Sequence, residues 1–231
     1  MTVNEKKAKI GIFFTLILLL GISVYIKQES LPGKSAVIVD QLYGENTGFG
    51  FVEHTQGLLN EKGYEVRVFQ GEEVTLDLFY DTVWDMEIII LRMHSGVFDK
   101  RTWLFTHEEY NPSKHVLEQL SRDVNIGRCK SVDYPVFTLS SSFFQRNIDF
   151  NGGLLVIMGC NGLDEVDLVS SFVESGADAV VGWNGAITVE KTDEAVSLFL
   201  EHLLSGQPLG KSIGDTGLEF YPYSANTYML G

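Results

Sequence analysis

Short apolar segments alternate along this chain with segments of helical periodicity, and this alternation is the feature that most limits its fold. The apolar segments are short enough to be buried strands, at residues 36–42, 87–93, 154–158 and 179–183. The segments with helical periodicity lie between or after them, at residues 51–62, 163–174 and 192–204. Strands that alternate with helices form a largely parallel sheet with helices on both faces. The sequence therefore predicts an α/β fold, a three-layer α-β-α sandwich with a mostly parallel sheet.

Three further segments fit this architecture less regularly. Residues 64–69 alternate between apolar and polar side chains, which indicates a strand near the edge of the sheet. Residues 74–83 are expected to form a helix. Residues 97–152 show no regular pattern and are interpreted as an insertion that contains one helix, at residues 112–122.

An uncharged apolar run at residues 10–26 precedes the domain, and its length is at the short end of what spans a bilayer as a helix. Lys6, Lys7 and Lys9 come before it, and the heavier positive flank favours a cytoplasmic N-terminus. We therefore expect a single-pass membrane anchor, a linker at residues 27–35 and an extracytoplasmic domain at residues 36–231. A cleaved signal peptide is the alternative, but the residues that follow the run lack the small-x-small pattern of a cleavage site.

The chain is acidic, with a formal net charge of -14. Such a surface repels nucleic acid and anionic lipid and attracts basic peptides and protein segments. The alternative interpretation is that the charge only keeps the domain soluble. The two cysteines, Cys129 and Cys160, are too few for a disulfide scaffold or a four-ligand zinc site, although they could pair with each other. No cofactor or metal site is indicated, and the sequence leaves the oligomeric state open.

Two chemically reactive side chains follow apolar strands directly. His94 comes after the strand at 87–93, and Cys160 comes after the strand at 154–158. Asp40 and Asn184 stand more loosely at the ends of two others. In parallel sheets ligands bind at the carboxyl ends of the strands, so His94 and Cys160 are candidates for one site. A thiolate needs a base or cation nearby, which His94 could provide for Cys160. Small residues flank His94 and Cys160 and leave backbone N–H groups free to bind an oxyanion. A buried cysteine of no chemical role and a surface histidine are the alternative interpretation.

These two segments resemble the conserved blocks of the caspase-like cysteine peptidases, which include caspases, gingipains, clostripain, separase and legumain. Residues 88–96 resemble the apolar strand that ends in His-Gly, and residues 154–162 resemble the later strand that ends in Ala-Cys. Residues 176–183 resemble the strand that lines the primary specificity pocket in that group. The resemblance covers roughly residues 36–205. Two positions depart from the pattern, since Ser95 stands in place of glycine and Gly159 in place of alanine.

The resemblance implies roles for individual residues. Cys160 would be the nucleophile and His94 the acid and base, and the backbone N–H groups of Ser95 and Cys160 would form the oxyanion hole. Trp183 and Asn184 would line the substrate pocket, in which Asp164 could bind a basic side chain. A role for Asp164 as the N-cap or a first-turn acid of the following helix is the favoured interpretation of this residue.

Three functions follow as hypotheses. The first is a membrane-anchored caspase-like cysteine peptidase or acyl-transfer enzyme that acts on peptides or proteins, including basic ones. The second is an inactive binding or sensor domain on the same fold, which the substitutions at positions 95 and 159 favour. The third is a flavodoxin-like domain that binds a small molecule at the same sheet edge, although no phosphate-binding motif supports it.

Overall fold

The computed structural model describes residues 34–45, 50–81, 83–150 and 152–222. Their strands, in chain order, are β1 (Ser35–Asp40), β2 (Glu65–Gln70), β3 (Ile88–Arg92), β4 (Ser95–Phe98), β5 (Arg101–Glu109), β6 (Val124–Gly127), β7 (Val136–Ser140), β8 (Leu154–Ile157), β9 (Ala179–Gly182) and β10 (Glu219–Pro222). The α-helices are α1 (Phe51–Glu61), α2 (Leu78–Asp81), α3 (Val116–Leu120), α4 (Ser141–Asn147), α5 (Val166–Glu174), α6 (Val189–Leu204) and α7 (Leu209–Ile213).

Six strands form the main sheet, in the order β10-β9-β8-β3-β1-β2. All neighbours are parallel except β10, which runs antiparallel to β9 at one edge. The chain leaves β1 toward β2 on one side and then continues from β3 toward β8 on the other. The strand order therefore reverses between β1 and β3, and such a reversal opens a crevice at the carboxyl ends of the strands.

Alternate side chains of the main sheet enter two separate cores, as the pleat of a strand requires. Ile89 and Leu91 of β3 pack into the first core, together with side chains of α4 and α5. Ile88 and Ile90 pack into the second core, together with side chains of α1 and α6. The central strands are buried on both faces, which explains their nearly continuous apolar sequences. The predicted α/β fold with a mostly parallel, helix-covered sheet is thus confirmed.

A second sheet occupies much of the segment that was predicted to be irregular, residues 97–152. Its four strands are antiparallel, in the order β4-β5-β7-β6. One face contributes Leu104, Val124, Phe137 and Leu139 to the first core. The prediction of an irregular insertion at 97–152 was therefore wrong. Short strands with one solvent-facing side carry a weaker apolar signal than the doubly buried strands of the main sheet.

Two helix predictions also need correction. The helix expected at 74–83 is reduced to α2, because Gly71–Glu73 forms a 3-10 turn whose end fixes Val74. The helix expected at 192–204 begins earlier, since the hydroxyl of Thr188 accepts a hydrogen bond from the Lys191 N–H and caps α6. The membrane anchor predicted at residues 10–26 lies outside the described residues. Within those residues, no helix has the length and apolar character needed to cross a bilayer.

Candidate functional site

The predicted reactive residues lie at the carboxyl edge of the main sheet, on neighbouring strands. His94 follows β3 and Cys160 follows β8, and these two strands pair directly. Their loops are joined by a hydrogen bond of 2.5 Å from the Ser95 hydroxyl to the Cys160 carbonyl oxygen. The structure therefore brings the two loops into contact, although the residues are far apart in the sequence. Both His94 and Cys160 are partly accessible to solvent.

Close packing of these loops depends on Gly159. A Cβ atom at position 159 would lie 2.9 Å from Ser95 Cβ, and closer still to Ser95 Oγ and to the Met93 carbonyl oxygen. Ser95 thus occupies space that an alanine at position 159 would need. The two departures from the caspase-like pattern are therefore coupled, because a larger residue at one position is matched by a smaller one at the other.

The imidazole of His94 is oriented by a carboxylate that the sequence analysis did not identify. Glu45, in the loop after β1, places Oε1 2.8 Å from His94 Nε2 across the crevice between β1 and β3. A carboxylate accepts hydrogen bonds, so this contact is satisfied when His94 Nε2 carries a hydrogen. The backbone N–H of His94 donates to the side-chain oxygen of Gln41 at 2.9 Å. Both ends of the residue are therefore fixed by the loop that follows β1.

A segment of the second sheet supports the same arrangement. The hydroxyl of Ser131 donates to Glu45 Oε1 at 2.8 Å, and the amide of Gln41 donates to Cys129 Sγ at 3.7 Å. Glu45 and Gln41 thus each bridge the His94 segment to the loop between β6 and β7. The only sequence signal for Gln41 and Glu45 was that both follow β1, the strand that lies beside β3 in the sheet.

The sulfur of Cys160 contacts the backbone of the loop after β9. Ile187 donates its N–H to the sulfur at 3.4 Å, and its carbonyl oxygen lies 3.3 Å from the sulfur. The N–H contact favours a thiolate, whereas the carbonyl contact accepts the hydrogen of a thiol. Among the described residues, no hydrogen bond links the thiol to the imidazole of His94. Both cysteines are free thiols.

The residues predicted to line the substrate pocket lie beside this loop. Asn184 is exposed at the end of β9. Trp183 is almost fully buried in the second core, and its indole N–H donates to the Thr192 hydroxyl at 2.7 Å. Asp164 Oδ1 accepts the Gly185 N–H at 2.6 Å and so fixes the β9 loop. Their contribution to substrate binding stays a prediction.

A buried ion cluster supports the strand ends beneath this site. Arg92, the last residue of β3, donates to Asp40 at 2.6 Å and to both carboxylate oxygens of Asp193 at 2.8 and 3.0 Å. All three side chains are nearly inaccessible to solvent. Burial alone would lower the pKa of Arg92. The carboxylates of Asp193 and Asp40 raise the pKa by more, so it lies above its ordinary value. The ends of β1 and β3 and the first turns of α6 are thereby tied together.

The described residues contain no group of three or more histidine, cysteine and carboxylate side chains placed to hold a metal ion. No known family model matches the chain, and no curated protein matches its sequence. Among solved structures it is similar to a chain of the Saccharomyces cerevisiae separase–securin complex, with 9% sequence identity and a TM-score of 0.47. That match covers 82% of this chain and 12% of the yeast chain, so this chain spans a small part of the length of the protein it matches.

Proposed function

We propose that this chain is a membrane-anchored caspase-like cysteine peptidase that uses His94 and Cys160. The observation that carries the proposal is the contact between the two loops at the sheet edge, together with a carboxylate that orients His94. Residues 10–26 are proposed to hold the domain on the extracytoplasmic face as a single-pass anchor. The substrates are proposed to be peptides or proteins, including basic ones that the acidic domain attracts.

The proposed reaction is that of a cysteine peptidase. The thiolate of Cys160 attacks the peptide carbonyl carbon, and the backbone N–H groups of Ser95 and Cys160 stabilise the oxyanion. Protonated His94 gives a proton to the leaving amine as the C–N bond breaks, which leaves a thioester on Cys160. His94 then takes a proton from water, the resulting hydroxide attacks the thioester, and the thiolate is released with the acid product. Glu45 keeps the ring in the orientation that both proton transfers need.

The test is hydrolysis of peptide libraries by the full chain in lipid nanodiscs. Replacing Cys160 with alanine is expected to abolish turnover, a loss of at least about a thousandfold. Glu45→Gln is expected to lower kcat roughly a hundredfold with little change in KM, because it disturbs proton transfer and not binding. Cys129→Ser is the matched control, since it removes the other thiol but keeps an acceptor for the Gln41 amide, and it should retain activity. Equal turnover by the parent and the Cys160→Ala chain would contradict the proposal.

A non-catalytic binding domain on the same fold is the second candidate function. It is favoured by the engagement of the Cys160 sulfur with Ile187 instead of with the imidazole. The rate of alkylation of Cys160 by iodoacetamide separates the two functions, because only a thiolate reacts quickly. Fast alkylation at neutral pH that slows in the Glu45→Gln chain supports catalysis. An ordinary slow rate, unchanged by that substitution, supports the binding domain.

A further inference from the structure

The outer face of the second sheet contains an open apolar cavity of about 450 Å³. Its lining includes the aromatic side chains of Phe98, Trp103 and Phe105, together with Ile126. Phe98 is 67% exposed and Ile126 is 49% exposed, so apolar surface is presented to solvent in the described structure. Concave apolar sites of this size are typical of binding pockets for side chains and small ligands.

Two glycines keep the cavity open. Gly96 lies opposite Trp103 in the register of β4 and β5, so its missing side chain leaves the aromatic rings uncovered. A Cβ atom at Gly127 would overlap the methyl group of Thr138 and lie 2.7 Å from the Phe105 ring, so a larger residue there would displace two side chains that line the cavity. The concavity is therefore built into the strand sequences.

The cavity lies near the candidate catalytic site, and Phe105 is the side chain that connects the two. Phe105, which lines it, lies edge-on to the His94 ring with 6.4 Å between ring centroids. Gly96, at its border, is separated from His94 by the single residue Ser95. A ligand in the cavity would contact Phe105, which in turn packs against the His94 ring.

β4 also offers a backbone edge for pairing. It is the terminal strand of the second sheet, and Phe105 donates its N–H to the His94 carbonyl oxygen at 3.0 Å. Bonded positions alternate along an antiparallel pair, so Gly96 faces β5 while Ser95 and Val97 present their backbone groups to the outside. Among the described residues, no strand pairs with this outer edge. Such an edge is a template for an extended peptide.

We propose that an extended polypeptide pairs with the outer edge of β4 and inserts a large apolar side chain, aromatic or long aliphatic, into this cavity. The inference rests on the proposed function, because it assigns the substrate class of that site: polypeptides with an apolar anchor residue next to the cleaved bond. Side chains on one face of the added strand point over Gly96 toward Phe98 and Trp103. The same pairing carries the scissile bond past Ser95 to Cys160.

Binding without turnover tests the proposal. The full chain with Cys160→Ala, in nanodiscs, is titrated against fluorescein-labelled peptides of alanine, serine and lysine that contain one phenylalanine. Anisotropy is expected to show about tenfold tighter binding than for peptides with alanine or aspartate at that position. Phe98→Ser is expected to remove this preference, and N-methylation of alternate peptide amides is expected to weaken binding further. Leu198→Ser, an exposed apolar residue on α6, is the matched control and should change neither value.

The outcomes separate this inference from the proposed function. Phenylalanine-dependent binding with no cleavage by the parent chain supports the cavity and contradicts the peptidase. Cleavage with no preference for an apolar residue, or a preference that survives Phe98→Ser, overturns the cavity. The other possible occupant of the cavity is a second copy of this chain, which sedimentation analysis tests. If Phe98→Ser dissociates a dimer and leaves peptide affinity unchanged, the face binds that second copy and the inference is wrong.

Discussion

At the scale of single residues, the separation between the loops after β3 and β8 is set by Gly159 and Ser95. A methyl group at position 159 would conflict with the Ser95 side chain and with the Met93 carbonyl oxygen. The Ser95 hydroxyl in turn donates to the Cys160 carbonyl oxygen. Ser95 and Gly159 are therefore packed against each other, the larger side chain at one position matched by the absence of one at the other.

This coupling predicts a non-additive double substitution. Gly159→Ala should destabilise the chain by about 1–3 kcal/mol through overpacking, and Ser95→Gly should cost about 1 kcal/mol through its lost hydrogen bond. The double variant should be more stable than the sum of the two by about 1 kcal/mol, because removal of the serine side chain relieves part of the overlap. Urea unfolding of the four chains gives the coupling.

Gly57→Ala is the matched control for this cycle, since a Cβ atom at Gly57 in α1 meets no atom within 4 Å. It should leave stability unchanged or raise it by up to about 1 kcal/mol. Strict additivity of Ser95→Gly and Gly159→Ala would show that the two positions do not share space.

At the scale of elements, Arg92 connects three of them. It donates to Asp40 at the end of β1 and to Asp193 in α6, while its own backbone ends β3. Arg92→Met should destabilise the chain by about 3–5 kcal/mol, because two buried carboxylates lose their cation. Urea unfolding measures the loss. Lys62→Met, at an exposed position, is the control and should change stability by less than about 0.5 kcal/mol.

A second Arg92 variant separates charge from packing. Adding Asp40→Asn and Asp193→Asn to Arg92→Met removes the uncompensated charges and should recover part of the stability. If the triple variant is less stable than Arg92→Met alone, the carboxylates stabilise the fold through other contacts and not through the arginine.

The β5 carboxylate Glu108 connects a different set of elements. Its oxygens accept hydrogen bonds from the Leu76 N–H before α2 and from His115 and Lys114 near α3. Burial raises the pKa of Glu108, but these donors outweigh it and leave the pKa below its ordinary value of 4.5. Because the pKa is lower in the folded than in the unfolded chain, the ionised carboxylate stabilises the folded state at pH values above 4.5. This stabilisation is lost as the pH falls through the folded-state pKa.

Glu108→Gln should therefore be less stable than the parent at about pH 6, and the difference should shrink as the pH falls below about 4.5. Urea unfolding at several pH values measures it. Glu53→Gln, an exposed position in α1, is the control and should follow the parent over this range. A stability difference between Glu108→Gln and the parent that is independent of pH would assign the effect to packing.

At the scale of the whole molecule, net charge affects the rate at which charged peptides reach the protein more than it affects the fold. The chain carries -14, so basic peptides should approach it faster than acidic peptides. If the chain is a peptidase, kcat/KM for lysine-rich peptides should fall as NaCl rises from about 0.05 to 0.5 M, because the Debye length shortens from about 14 to 4 Å. Peptides of zero net charge and equal length are the control. An equal salt response for both peptides would remove charge attraction as a factor in substrate choice.

The apolar strands β3 and β8, and the position of His94 and Cys160 after them, could be predicted from the sequence because both faces of these strands are buried. Continuous burial demands continuous apolar residues, and parallel strands place their carboxyl ends together. Helices α1 and α6 were predictable for the same kind of reason, since one face of each enters the second core. Adjacency of His94 and Cys160 at one edge thus follows from local pattern and sheet geometry.

Only the tertiary structure decided which groups contact these two residues. Glu45 and Ile187 come from loops after other strands, and no periodicity marks a loop residue that hydrogen-bonds across a sheet edge. The second sheet was missed because its strands hide one face and expose the other, which weakens the apolar signal of each. The sequence by itself determined the layers and the sheet edge that carries His94 and Cys160. The partners of each side chain were decided by packing between segments far apart in the chain, because those contacts depend on distances that no local pattern encodes.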